Sequence, residues 1–154
     1  MVSKQLYQEV IMDHNKKPRN WGHLDDPSHQ AEGVNPLCGD HIHLDLKVSD
    51  NQILDVAFEG DGCAICKSSS SMMTTNIKGK TVEEAEQLVS EFREMATGTL
   101  ESSEPNHLGR LVVFEGVKDF PSRVKCAILP WHTLQAALHE QASVSTEGEE
   151  ESLS

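Results

Sequence analysis

Three separated pieces of the chain, Cys38-Gly39-Asp40, Gly60-Asp61-Gly62-Cys63 and Arg123-Val124-Lys125-Cys126, carry side chains of the kinds that bind a divalent metal ion. Taken together they offer three thiolates and a carboxylate. Four ligands is the usual number for zinc in proteins, and Cys sulfur is its favoured soft donor. An aspartate as the fourth ligand is the unusual element. Cys38 and Asp40 are two residues apart, so an extended backbone points both side chains to one side, where one ion can touch both. Gly60 and Gly62 permit backbone geometry that brings Cys63 towards Cys38. Cys126 follows Pro121-Ser122 near the start of a predicted helix, where the helix dipole favours thiolate.

Two readings compete with this one. Free cysteines are among the most buried residue types, but three of these four stand beside Gly, Asp or Lys rather than within apolar runs. Cys63-Ala64-Ile65-Cys66 is also a CxxC, which could supply two ligands of a four-cysteine zinc site with Asp40 outside. A thioredoxin-like redox pair is disfavoured because no βαβ pattern surrounds the motif. If a helix starts after Cys63, Cys66 lies one turn further on and is buried instead. Arg123 precedes Cys126 by three residues and so shares its side of a helix, where it can pair with Asp40 or a displaced thiolate, or stand in solvent.

The elements that must position these residues are legible in part. Leu6, Tyr7, Val10, Ile11 and His14 recur at helical spacing up to Lys17-Pro18, which predicts an amphipathic first helix. Residues 20 to 37 read as loop with one short strand near 31 to 34. Ile42, Leu44, Leu46 and Val48 alternate with His41, His43, Asp45 and Lys47, and alternation resumes at Leu54, Val56 and Phe58 beyond a turn. These segments predict an antiparallel hairpin with one wet face, which accounts for His41 and His43 without a ligand role. Ala64 to Lys78 reads as a helix whose small residues, Ser68 to Ser71 among them, suit close packing rather than catalysis. Thr81 with Glu84 three residues on is a capping-box signature for a helix through about Ala96. Periodicity does not separate helix from strand for Leu108 to Val117, and helix is preferred. The fold class is α+β, a small antiparallel sheet with helices packed on one face.

Composition bounds the function. A chain of 154 residues suits one domain, read here as 1 to 140, followed by an acidic, disordered tail from 141 to 154. The formal net charge of -12 makes nucleic acid and anionic membranes poor partners and a basic protein surface a better one. The N-terminus has no apolar core of the roughly 7 to 15 residues of a signal peptide, and no window approaches the roughly 18 needed to span a bilayer. A cytoplasmic location follows as the expectation, and cysteines there are more often metal-binding or catalytic than disulfide-bonded.

With these residues in hand, the chain resembles the iron-sulfur assembly family that includes IscU and the N-terminal domain of NifU. The likeness runs from Leu6 to about Leu138. It is carried by the opening Leu-Tyr-x-x-Val-Ile-x-Asp-His, by Asn35-Pro36-Leu37-Cys38-Gly39-Asp40, by Phe58 to Cys63 with Ser69-Ser70-Ser71-Met72-Met73 after it, and by Arg123-Val124-Lys125-Cys126. Its SufU branch is the nearest match. IscU-like scaffolds have histidine immediately before the third cysteine and a Leu-Pro-Pro-Val-Lys chaperone-docking motif. Here that position is Lys125, the segment reads Phe120-Pro121-Ser122-Arg123-Val124-Lys125, and residues 97 to 120 resemble a SufU-type insertion.

The resemblance implies a zinc-dependent sulfurtransferase that takes persulfide sulfur from a SufS-like cysteine desulfurase and passes it to a SufBCD-like scaffold. It implies Cys38, Asp40, Cys63 and Cys126 as zinc ligands, Cys38 as the sulfur acceptor, and no ligand role for Cys66; Arg123, from its spacing to Cys126, is the further catalytic candidate beside Cys38. The acceptor must be ionised and free to move, so a partner side chain that took the place of Cys38 on the metal would release it as a nucleophile. The alternative is a scaffold on which a [2Fe-2S] cluster is built from the same cysteines.

Overall fold

The computed structural model describes residues 4–100 and 106–146. Helix α1 (Lys4–Lys16) stops at Lys17-Pro18, as proline dictates for the residue before it. The chain then crosses the edge of the sheet, where Trp21 bridges to Phe58. Strands β1 (His29–Asn35), β2 (Asp40–Ser49) and β3 (Gln52–Asp61) follow as an antiparallel meander. Helices α2 (Ala64–Ile77) and α3 (Val82–Thr97), a 3-10 segment (Gly109–Asp119), α4 (Pro121–Leu138) and a short β4 (Ser143–Ser145) complete the order.

Two turns set the register of the meander. Asp50 and Asn51 both have positive φ, 51° and 64°, the signature of a two-residue type I′ hairpin that joins Ser49 to Gln52. At the other end Asn35 pairs with Asp40, and the Cys38 N–H donates to the Asn35 carbonyl at 3.2 Å. Pro36 takes the turn position that its fixed φ suits, and Gly39 (φ 73°) brings the chain back into β2. Cys38 therefore sits in the tight turn between β1 and β2.

The sheet order is β3-β2-β1-β4, and β4 runs parallel to β1, pairing Val34 with Ser145. The α+β class, a small sheet with helices packed on it, is as expected, and two details differ. The sheet is mixed rather than wholly antiparallel, and the tail assigned from 141 onwards contributes a strand and a buried Thr146 before it ends. Residues 147–154 lie outside those described, as do residues 101–105 of the segment compared with a SufU-type insertion.

The expected capping box is present: the Thr81 hydroxyl accepts from the Glu84 N–H, and the Glu84 carboxylate accepts from the Thr81 N–H. The ambiguous apolar run is helical but wound as 3-10, with Leu108, Leu111, Phe114 and Val117 all buried. Their spacing of three residues is that of a 3-10 turn, which lays them in one row on the core. There Phe114 meets Phe92 edge-on at 5.6 Å, and Phe92 stacks on Trp131 at 4.6 Å.

Close helix packing explains the serine run. Ser69 donates to the Ala127 carbonyl at 2.6 Å and accepts from the Trp131 indole at 3.1 Å, so α2 and α4 are pinned to each other. Ser68 and Ser70 return their hydroxyl protons to carbonyls of their own helix. Among the described residues, no helix is long and apolar enough to cross a membrane.

Helix α4 lies against β1 at Gly33, where a Cβ would stand 1.9 Å from Thr133 Oγ1 and 3.2 Å from a Leu129 methyl. Only glycine admits this approach, which carries Cys126 down onto the sheet. Gly33→Ala is expected to lose about 1 to 3 kcal/mol in chemical denaturation from overpacking. Thr133→Ala should recover part of that loss when combined with it, and additive losses would show that the approach at Gly33 is not the constraint.

Candidate metal centre

The centre forms where the β1–β2 turn, the end of β3 and the second turn of α4 converge. Asp40, the first residue of β2, is 2% exposed, and Cys126 is 4% exposed. Ligand atoms of Cys38, Asp40 and Cys126 all lie within 4.8 Å of one another. Cys38 is exposed because its turn projects from the sheet beside the outward Leu37.

Cys63 adjoins this trio rather than belonging to it. Its N–H donates to Asp40 Oδ1 at 2.9 Å, and its thiol shares a hydrogen bond with that of Cys126. Gly60 makes the approach possible. Its φ is 148°, and a Cβ there would stand 2.1 Å from the backbone oxygen of His41. No other residue lets β3 run so close to β2 at this end.

The helix-terminus argument applies to a different cysteine from the one expected. Cys126 lies beyond the first turn of α4, where the field of the helix end has faded. Cys63 instead caps α2, its sulfur accepting from the Cys66 N–H at 3.5 Å. The two thiols share that hydrogen bond and so titrate as a pair. Hydrogen bonding from Cys126 lowers the Cys63 thiol to about 7, with the Cys66 and Ile65 N–H groups helping against burial and the Asp40 charge. Cys126, the donor to Cys63, is pushed up by that bond, by burial and by Asp40.

Cys66 is fully buried with Ile42, Cys126 and Leu129, and burial, then the Asp40 charge, pushes its thiol well above the ordinary value. Arg123 reaches neither Asp40 nor a thiol in the described contacts. Its guanidinium lies 4.5 Å over the Phe120 ring and hydrogen-bonds the Tyr7 hydroxyl, whose pKa is raised chiefly by burial and also by the nearby Cys63. Arg123 is thus linked to the centre through Tyr7, which feels both its charge and that of Cys63.

One residue that sequence reasoning quoted without a role proves central. Asn35 is fully buried, and its Nδ2 donates to Asp40 Oδ2 at 3.2 Å and points at Cys126 Sγ at 3.6 Å. Its Oδ1 accepts from the Thr146 hydroxyl at 2.9 Å. The amide therefore orients two candidate ligands and is itself held by the segment after β4. The pairing of Asn35 with Asp40 across the turn was the available signal, but the strand had first to be placed.

The donors fit zinc. Asp40 is a buried carboxylate that accepts two N–H hydrogen bonds and faces thiols, an arrangement that a cation between carboxylate and thiolates would neutralise. Thiolate sulfur with one carboxylate oxygen is a set that zinc accepts.

Comparison with known proteins agrees with this architecture. The family model described as NifU-like N terminal domain matches residues 6–127. The chain is 43% identical to the "Zinc-dependent sulfurtransferase SufU" of Bacillus subtilis over 88% of this chain and 91% of that protein. It is 42% identical to the "Iron-sulfur cluster assembly scaffold protein IscU" of Streptococcus pyogenes over 90% of this chain and 86% of the relative. The crystal structure of the N-terminal part of a NifU-like protein from Brucella abortus superposes with a TM-score of 0.79 at 25% identity, covering 87% of this chain and 92% of the other. On the matched span, the shared α+β fold and the overall identity, this chain belongs to the NifU-like N-terminal domain family, which includes the IscU and SufU proteins.

Proposed function

We propose that the chain is a zinc-dependent sulfur carrier of the SufU type, working in the cytoplasm between a SufS-like cysteine desulfurase and a SufBCD-like scaffold. The observation that supports the reading is the inequality of the four candidate ligands: Asp40 and Cys126 are buried, whereas Cys38 and Cys63 are exposed, and of these two Cys63 caps α2 while Cys38 stands on the β1–β2 turn. Lys125, where IscU-like scaffolds have histidine, supports the same branch.

Cys38, Asp40, Cys63 and Cys126 would hold the ion. Bound zinc would keep the Cys38 sulfur ionised at neutral pH. The Cys38 thiolate attacks the outer sulfur of the donor's persulfide; the donor's S–S bond breaks, a new S–S bond forms on Cys38, and the donor cysteine leaves as thiolate. No external oxidant enters. Asn35 keeps Asp40 and Cys126 in place while the turn carrying Cys38 moves, and Arg123, linked to the centre through Tyr7, offers a positive charge to the anionic persulfide. The acidic surface, with a net charge of -12, suits a basic docking face on the desulfurase.

A second reading, a scaffold for a [2Fe-2S] cluster, draws support from relatives named IscU scaffold at 42% and 41% identity. Anaerobic purification separates the two. The carrier reading predicts zinc near one equivalent without acid-labile sulfide, and tightly held iron with sulfide would overturn it.

Cys38→Ala should abolish sulfur uptake and most stimulation of the desulfurase. Full stimulation by that variant would make the chain an adaptor instead. Asn35→Ala is expected to weaken zinc binding by roughly 10- to 100-fold in competition with a chelator, the usual penalty for losing a group that orients ligands. Unchanged affinity would remove Asn35 from the account.

A further inference from the structure

The opposite face of the sheet carries a second cluster of metal-binding side chains. His23, from the segment that crosses the sheet edge, meets His43 and Asp45 of β2, and their ligand atoms lie within 4.8 Å of one another. We propose that these three side chains form a second, histidine-based site for a borderline divalent transition-metal ion such as zinc or ferrous iron.

Asp45 is 1% exposed, and its carboxylate is fixed by the Leu24 N–H at 3.0 Å and the Gln30 amide at 2.9 Å. His43 Nε2 stands 2.7 Å from Asp45 Oδ1, and His23 Nδ1 stands 3.3 Å from Asp45 Oδ2. Ligand atoms at zinc's usual bond lengths in a tetrahedron are about 3.4 Å apart, so His43 and Asp45 need part by less than about 1 Å to admit an ion.

The outer nitrogens make the stronger argument. His43 Nδ1 lies 2.9 Å from Glu32 Oε1, and His23 Nε2 contacts Glu59. Metal-bound histidines almost always give their second N–H to a carboxylate or carbonyl, which fixes the tautomer and turns the free nitrogen to the metal. Both histidines here have that partner. His23 and His43 line a cleft of about 530 Å³ together with Trp21, His41 and Glu59, which would give water or a ligand atom from a partner access to a bound ion.

Imidazole and carboxylate suit zinc and iron, whereas the thiol-rich centre on the other face is softer. An ion here would also tie the segment at residue 23 to β2, so binding should stabilise the fold by linkage. The inference is independent of the sulfur-carrier reading, since none of the proposed zinc ligands takes part.

Cobalt titrated into the zinc-loaded protein tests it. The expected result is one further equivalent, with d–d absorption free of thiolate charge-transfer bands and a rise in melting temperature. His23→Gln, at an exposed position, and His43→Gln should each weaken that equivalent at least about tenfold while the first zinc stays bound. The proposal fails if no second equivalent binds, if the cobalt spectrum shows thiolate ligation, or if both variants bind it as tightly as the parent.

Discussion

The pairing of Asn35 with Asp40 is the interaction on which the rest of the centre depends. Closing β1 onto β2 at this register leaves four residues for the turn, and Cys38 is one of them. The same pairing buries the Asn35 amide where it meets Asp40, Cys126 and Thr146 together. Three distant parts of the chain are thereby referred to one side chain. A buried amide left without these partners would be destabilising, so sheet, α4 and the segment after β4 hold one another in place.

This arrangement divides the candidate ligands by burial and by the element that carries them. Asp40 and Cys126 are held by burial and by the Asn35 amide, and the exposed Cys63 by the hydrogen bonds of its N–H to Asp40 and of the Cys66 N–H to its sulfur. Cys38 is constrained only by a turn. A centre built with four equally buried ligands would suit a purely structural ion. Here Asp40 and Cys126 are buried within β2 and α4, whereas Cys38 and Cys63 are exposed outside the regular elements and Cys38 stands on a turn, a division that suits the proposed carrier.

Much of this was legible in the sequence where a local pattern carries its own mechanism. The alternation of Ile42, Leu44 and Leu46 marked β2, and Thr81 with Glu84 marked the start of α3. The spacing of Leu108, Leu111, Phe114 and Val117 is the three-residue period of a 3-10 segment, which matches neither the period of about 3.6 of an α-helix nor that of about 2 of a strand. Strand β4 was illegible because three residues, two of them serine, carry no pattern of their own and are ordered by β1. Pro121 marks the opening of α4 in the sequence and so points to Cys126 as the thiol at a helix end, whereas Cys63 takes that place through a turn whose approach to β2 only a glycine at position 60 permits. Asn35 and Thr146 stand 111 residues apart, so their contact exists only in the folded chain.

The central claim is that Cys38 is the group that gives and takes sulfur while its neighbours hold the centre together. Mass spectrometry of the zinc-loaded protein, digested after incubation with a cysteine desulfurase and cysteine, tests this most directly. The account predicts a gain of one sulfur atom on the peptide containing Cys38. A gain on Cys63, Cys66 or Cys126 instead, or none at all, would contradict it.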